Sequence, residues 1–241
     1  SVYTEDSVLG IEPMIKKVLY AFKVISERGV GFLFRYFYES YFFDLKYGTK
    51  TSARVTKDEQ SISSSEADEE NGLLYVASFT SVTRETVSLA KGILGEDRFN
   101  KAQFVDLGCG KGKALLVHAL NNGKNQHEPA LGIEYDRNLA AIARDNVKRC
   151  GISDGQVKVI ADSAINLKQY ITSEEIVIYL YNSFQGETLE KVFIELSTIP
   201  HILIYVDPAE RFLLDKYGYS VIFDHDGRYH ADTWLVATSN L

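Results

Sequence analysis

From Gln103 onward, short apolar runs alternate with amphipathic stretches in a regular order. The runs Gln103–Leu107, Ala130–Glu134, Val157–Ala161, Ile176–Tyr181 and His201–Val206 predict strands. Between them, Lys113–Asn121, Arg137–Cys150 and Glu187–Leu196 predict helices, with a shorter one near Ala164–Tyr170. Pro208 suits the first turn of a further helix to about Tyr217, where a missing N–H does no harm. Two closing strands, Ser220–Phe223 and Thr233–Thr238, flank the turn-prone stretch Asp224–Arg228. Strands alternating with helices imply a parallel sheet covered on both faces.

The N-terminal half has another texture. From about Ile11 to Phe43 it reads as helix, with Ile15, Val18, Leu19, Phe22 and Ile25 at helical spacing and interruptions at Gly29 and Gly31. The aromatic run from Phe32 to Phe43 is expected to pack on the main domain, with a pocket wall or a subunit contact as the other options. Residues 57–71 are polar and acidic, which predicts a flexible loop. A helix is expected from about Ser81 to Leu94, with Val82, Thr86, Leu89 and Ile93 facing inward. Residues 1–98 thus form a helical extension, and residues 99–241 the core.

Composition changes this picture little. The chain has 241 residues, 45% hydrophobic and 24% charged, as in an ordinary globular protein. A net charge of −7 argues against a surface built to grip nucleic acid backbone. Two cysteines, Cys109 and Cys150, suit a reduced thiol pair, and no apolar stretch approaches a membrane span. A cytoplasmic location is therefore expected. The five histidines show no ligand-like clustering, so no metal is expected.

The candidate chemistry begins at Asp106-Leu107-Gly108-Cys109-Gly110-Lys111-Gly112, which follows a strand and opens a helix. Three ligand types compete for such a loop. A P-loop needs Lys followed by Ser or Thr after its last glycine, and Gly112-Lys113-Ala114 lacks the hydroxyl. A dinucleotide fingerprint needs Gly-x-Gly-x-x-Gly, one residue longer than the pattern found. Asp106 ahead of the loop would repel a pyrophosphate and attract a cation. Cys109 reads as a small spacer whose backbone N–H faces the ligand, and Lys111 and Lys113 as solvated or packed along the helix.

These residues resemble the first motif of class I (Rossmann-like) S-adenosylmethionine (SAM) dependent methyltransferases, an acidic residue followed by Gly-x-Gly-x-Gly. The resemblance implies a Rossmann-like, seven-stranded, mostly parallel sheet with helices on both faces, preceded here by the helical extension. It continues in Gly132-Ile133-Glu134-Tyr135-Asp136, where Glu134 lies roughly 20 residues past the loop and is placed for both ribose hydroxyls. Ala161-Asp162-Ser163-Ala164 resembles the segment whose acidic residue bonds the adenine amino group, although Asp162 would also serve as a helix cap. The cofactor-binding residues implied are Asp106, Gly108, Cys109, Gly110, Gly112, Glu134, Asp162, Ser163 and Asn182.

Tyr181-Asn182-Ser183-Phe184 stands where the family places its active-site motif. It resembles part of the Asn/Asp-Pro-Pro-Tyr/Phe sequence of enzymes that methylate amino nitrogens, but lacks both prolines. By that resemblance Asn182 and Phe184 face the acceptor, and Tyr75, in a segment like those preceding the core in some bacterial methyltransferases, reaches over the methionine end of SAM. The implied acceptor is an amine nitrogen such as a protein lysine. A small-molecule acceptor and a non-catalytic SAM- or nucleotide-binding module are the alternatives, and a dehydrogenase is disfavoured by the short loop. No membrane partner is expected.

Overall fold

Five short runs become the five parallel strands that the pattern predicts, four of them apolar enough to be buried on both faces of a sheet and Val157–Ala161 alternating buried with exposed at the sheet's edge. The computed structural model describes residues 30–52, 77–227 and 232–239. The readings of Ile15 to Ile25, the loop 57–71 and Tyr75 lie outside them. The strands are β1 (Gln103–Leu107), β2 (Ala130–Glu134), β3 (Val157–Ala161), β4 (Ile176–Tyr181), β5 (Ile202–Val206), β6 (Tyr219–His225) and β7 (Trp234–Ser239). They form one sheet in the order β3-β2-β1-β4-β5-β7-β6. The first five are parallel, while β7 runs antiparallel to both β5 and β6. Relative to a doubly wound sheet of order 3-2-1-4-5-6, an antiparallel strand has been inserted between the fifth and the sixth.

Helices cover both faces. On one, α5 (Lys113–Asn122) packs on β1 and β2, and α3 (Thr80–Leu94) on α5, β5 and β7. On the other, Val105, Leu107, Ile178, Leu180, Leu203 and Tyr205 meet α7 (Gly186–Leu196) and α8 (Phe212–Lys216) in a continuous apolar cluster. Alternation along β1 decides the division: Val105 and Leu107 enter this cluster, so Phe104 and Asp106 point the other way, toward α5. There Phe104 stacks on His118 of α5 with ring centroids 4.1 Å apart. α6 (Arg137–Arg149) lies against β2 and β3 and is capped by Asp136, whose Oδ1 accepts the N–H groups of Asn138 and Leu139.

Two helical expectations are corrected. The inward face of α3 is Val82, Thr83, Thr86, Val87 and Ala90, and Leu89 and Ile93 are only half-buried. Val82 and Thr86 lie inward as expected, and Thr83 joins them by returning its hydroxyl, as Thr86 does, to a backbone carbonyl one turn earlier. Thr83 also lies 3.2 Å from the hydroxyl of buried Tyr179. Pro208 does not open a helix: α8 begins only at Phe212, after a turn in which Ala209 N–H bonds the Asp207 carbonyl. The short helix α4 (Glu96–Lys101), not anticipated, precedes β1.

The chain divides into two compact units, one up to Phe43 and one from Asp44. In the first, α1 (Val30–Phe37) continues into a wider π-helical turn at Tyr38–Phe42. Phe43 is buried, whereas Phe34 is 72% exposed and Tyr36, Phe37, Tyr38, Tyr41 and Phe42 are also exposed. These rings pair along their own helical path at i, i+4, Phe37 with Tyr41 and Tyr38 with Phe42.

α2 (Phe43–Tyr47) spans the boundary at Phe43/Asp44 and leads, in the second unit, into a tight segment held by Asp44. Its carboxylate accepts the hydroxyls of Thr49 and Thr51 and the N–H groups of Thr51 and Ser52. Burial opposes its ionisation, but these bonds outweigh it and hold the pKa below the ordinary value. The next link is Asn146 of α6, fully buried. Its Oδ1 accepts Lys50 N–H at 2.9 Å and its Nδ2 donates to the Lys111 carbonyl at 3.0 Å. One amide therefore ties residues 44–52 to the glycine loop. Asn146→Ala should lower the unfolding free energy by about 1–3 kcal/mol, the cost of stranding buried partners. A chemical denaturation midpoint unchanged from the parent would show that the bridge contributes nothing.

Candidate functional site

The carboxyl ends of the parallel strands carry the side chains that the sequence singles out, and in an open α/β sheet that edge is where ligands sit. β1 ends at the glycine loop, where Gly108, Gly110 and Gly112 adopt φ of 71°, 53° and 83°. Gly108 and Cys109 both donate their N–H groups to the Ile133 carbonyl, at 2.8 and 3.1 Å. This corrects one expectation, since the Cys109 N–H is spent on β2 and does not face a ligand. The Cys109 thiol is buried beside Gly132, where a Cβ would lie 2.8 Å from the sulfur, and burial pushes its pKa up. It is a packing group.

Gly108 is required by contact as well as by φ. A Cβ there would lie 2.3 Å from Ser183 Cβ. Ser183 Oγ donates to the carbonyls of Gly108 at 3.2 Å and Tyr181 at 3.0 Å, closing the loop after β1 against the loop after β4.

Asp106 is 4% exposed and lies under the loop, with the Leu115 N–H at the start of α5 as a hydrogen-bond donor. Burial, with the charge of Glu134 in support, pushes its pKa up to about 8 against that bond. The carboxyl therefore holds a proton at neutral pH, and the sequence picture of an open anion facing a cation is corrected to an enclosed group that braces loop and helix. Lys111 and Lys113, read as solvated or packed, are both buried, and Lys113 Nζ lies 3.5 Å from Ser52 Oγ.

Glu134 ends β2. Its Oε2 accepts Gly110 N–H at 2.7 Å and its Oε1 accepts Asp136 N–H at 2.9 Å. The carboxylate thus clamps the glycine loop from the next strand. After β3, Asp162 accepts Ser163 N–H and Asn166 Nδ2 on Oδ1 and the Tyr170 hydroxyl on Oδ2. Partial burial opposes its ionisation, and these bonds outweigh it, lowering the pKa. The capping role falls to Ser163, whose Oγ accepts Ile165 N–H.

After β4, Asn182 takes φ of 31°, and after β5, Asp207 takes φ of 49°. The two side chains meet: Asn182 Nδ2 donates to Asp207 Oδ2 at 2.9 Å, and Gln185 Nε2 donates to Asn182 Oδ1 at 3.3 Å. Phe184 is a further correction. Expected to face the acceptor, it is 5% exposed and belongs to the apolar cluster with Leu180, Leu189 and Val192. Without the two prolines of the motif it resembles, the chain turns inward at Ser183 and carries the ring into the core.

The arrangement brings Asp106, Glu134, Asp162, Asn182 and the glycines to one edge of the sheet, and leaves Phe184 and Cys109 inside it. Sequence reasoning missed Asp207. The signal was positional, an acidic residue directly after a buried parallel strand in Tyr205-Val206-Asp207-Pro208. Among the described residues no group of His, Cys, Asp and Glu is arranged to hold a metal ion, and no helix is long and apolar enough to cross a membrane.

No protein-family model matches the chain, and no curated protein matches it. Solved structures do. Magnesium protoporphyrin IX methyltransferase from Synechocystis PCC 6803, with bound SAM, is 13% identical over 86% of this chain and 96% of its own, with a TM-score of 0.48. A putative methylase from Haemophilus influenzae is 12% identical over 66% of this chain and 98% of its own, at 0.48. A ribosomal protein methylase from Lactobacillus delbrueckii subsp. bulgaricus is 13% identical over 66% of this chain and 76% of its own, at 0.46. The assignment of a Rossmann-like, seven-stranded, mostly parallel sheet with helices on both faces rests on the strand order and helix packing of the chain itself.

Proposed function

We propose that the chain is a SAM-dependent methyltransferase whose acceptor is an amine nitrogen. One observation carries the reading. From β3 to β5, four of the five parallel strands end in or are followed by a side chain with an acceptor oxygen: Asp162, Glu134, Asn182 and Asp207. Such an edge suits a ligand made of hydroxyls, amino groups and a positive charge, and repels a diphosphate. SAM has that chemistry: ribose hydroxyls for Glu134, an adenine amino group for Asp162, and a cationic methionine end for the region of the glycine loop.

When bound, the sulfonium supplies an electrophilic methyl carbon to an in-line nucleophile. The protein then has to align the acceptor and accept its hydrogens, with no metal required. Asn182 Oδ1 is an acceptor at the end of β4 suited to an amine N–H. An acid-lined edge on a chain of net charge −7 favours, over a nucleic acid backbone, an amine that arrives as a cation. That amine sheds a proton to solvent before its lone pair attacks the methyl carbon. An enclosed small-molecule amine and an exposed one, such as a lysine side chain, would both be served by these groups.

The test is calorimetric titration with S-adenosylhomocysteine (SAH) beside NADH. Saturable binding of SAH alone is expected, weakened about tenfold or more in Glu134→Ala, which removes a charged acceptor for two hydroxyls. Binding of NADH without SAH would overturn the reading.

A further inference from the structure

The backbone register of β4 and β5 pairs Tyr181 with Val206, so the next residues, Asn182 and Asp207, emerge side by side. Among the described residues they are the two non-glycine positions with positive φ. Asparagine and aspartate tolerate that region, though not without cost, and here both turn at the same edge so that their side chains meet at 2.9 Å. Two adjacent strained residues joined to each other form a built arrangement, and the polarity of the joint carries information.

An asparagine amide can face a partner with either end. Asp207 Oδ2 accepts from Asn182 Nδ2, which turns the NH2 end of Asn182 toward Asp207 and the Oδ1 end away. The structure assigns to Asp207 the role of a positioning residue that locks the Asn182 amide with its oxygen presented as the acceptor for an amine at the methyl-transfer position. The assignment rests on the reading of the site as a SAM site. The second donor on Oδ1, Gln185 Nε2 at 3.3 Å, uses one lone pair and leaves the other for the ligand. A flipped amide would present two N–H donors, which clash with the N–H groups of an amine. Asp207 is held in turn by its own backbone, with its N–H bonded to the Thr233 carbonyl at 2.8 Å on the strand entry to β7 and its carbonyl receiving Ala209 N–H.

The lock can be read without knowing the acceptor. Sinefungin carries an amine where SAM carries its methyl group, whereas SAH has nothing there, so the ratio of their affinities reports the groups that face that amine. Titration of both ligands into the parent chain, Asp207→Asn, Asn182→Ala and the double variant measures it. Asparagine keeps the volume and tolerates positive φ, so Asp207→Asn removes the polarity of the lock and spares the backbone. The parent is expected to prefer sinefungin. Asp207→Asn should lose about tenfold of that preference with SAH affinity unchanged, Asn182→Ala should lose as much, and the double variant no more than either, because the two act in series. Equal weakening of both ligands in Asp207→Asn would show a merely structural residue and overturn the assignment, as would an undiminished preference or a parent that binds SAH without preferring sinefungin. A parent that binds neither ligand fails the SAM reading itself.

Discussion

Gly108→Ala should abolish useful cofactor affinity and destabilise the fold together. An alanine at φ of 71° carries roughly 1–2 kcal/mol of backbone strain. Its Cβ would also stand 2.3 Å from Ser183 Cβ and 2.6 Å from Ser183 Oγ, and overpacking of this kind adds about 1–3 kcal/mol. The expected loss is therefore about 2–5 kcal/mol in a denaturant titration. The loop can relieve the overlap only by moving away from the strand after which Asn182 stands, and a shift of about 1 Å at such a site costs on the order of 100-fold. Ser183→Gly in the same chain separates the two terms. With the serine side chain gone, the nearest neighbour of the new Cβ is Phe184 at 3.4 Å, an ordinary contact. The double variant should regain the packing part and retain the strain. Full stability in Gly108→Ala alone would contradict the contact.

The second large effect is a stability optimum near pH 6.5, set by three buried groups of opposite sign. Burial lowers the pKa of His118 to about 3 and that of His201 to about 4, the latter against a bond to the Ile199 carbonyl. As pH falls below 6.5 the unfolded chain takes up two protons that the folded chain refuses, so stability is lost on the acid side. Asp106 works in the reverse sense. Its folded pKa of about 8 lies above the ordinary 3.8, so the folded chain holds an extra proton between these values, and the stability this brings disappears as pH rises through 8. Between about pH 4 and 6.5 the two histidines outweigh the one carboxyl by a single proton, or about 1.4 kcal/mol per pH unit. Above 6.5 Asp106 acts alone with the opposite slope of about the same size. Asp44 and Asp162, held low by their hydrogen bonds, steepen the acid limb near their ordinary range. Unfolding free energies measured from pH 4 to 8.5 test this. His118→Phe should flatten the acid limb and Asp106→Asn the alkaline one. His118 is also a favourable site for the exchange, because both ring nitrogens are buried without a hydrogen-bond partner while its ring stacks on Phe104. Unaltered slopes in both variants would refute the account.

The sheet was legible because buried parallel strands are short continuous apolar runs, and β1 to β4 begin and end where the pattern places them. Two kinds of feature escaped. The face of α3 was placed correctly at Val82 and Thr86, yet Thr83 is buried too by returning its hydroxyl to the backbone, which periodicity does not weigh. The site was legible as positions more than as directions. Glu134 and Asn182 were found at their strand ends, but resemblance to a proline-bearing motif sent Phe184 outward when its actual neighbours draw it into the core. Asp207 needed no motif, only the rule that strand ends carry ligands. Its bond to Asn182 depends on a β4–β5 register that no local pattern states.

The inserted strand has a consequence for the order in which the molecule can be built. β7 is made after β6, yet it occupies an interior place, bonded to β5 on one side and β6 on the other. Until residues 234–239 have left the ribosome, β5 presents an open edge and β6 has no strand to join. The nascent sheet therefore ends in exposed apolar backbone for the whole time that residues 207–233 are being synthesised, an invitation to pair with other chains. Loss of β7 would not shave one strand from the rim; it would detach two, so a stop codon or a protease cut before Trp234 should yield an aggregating fragment in place of a shortened domain.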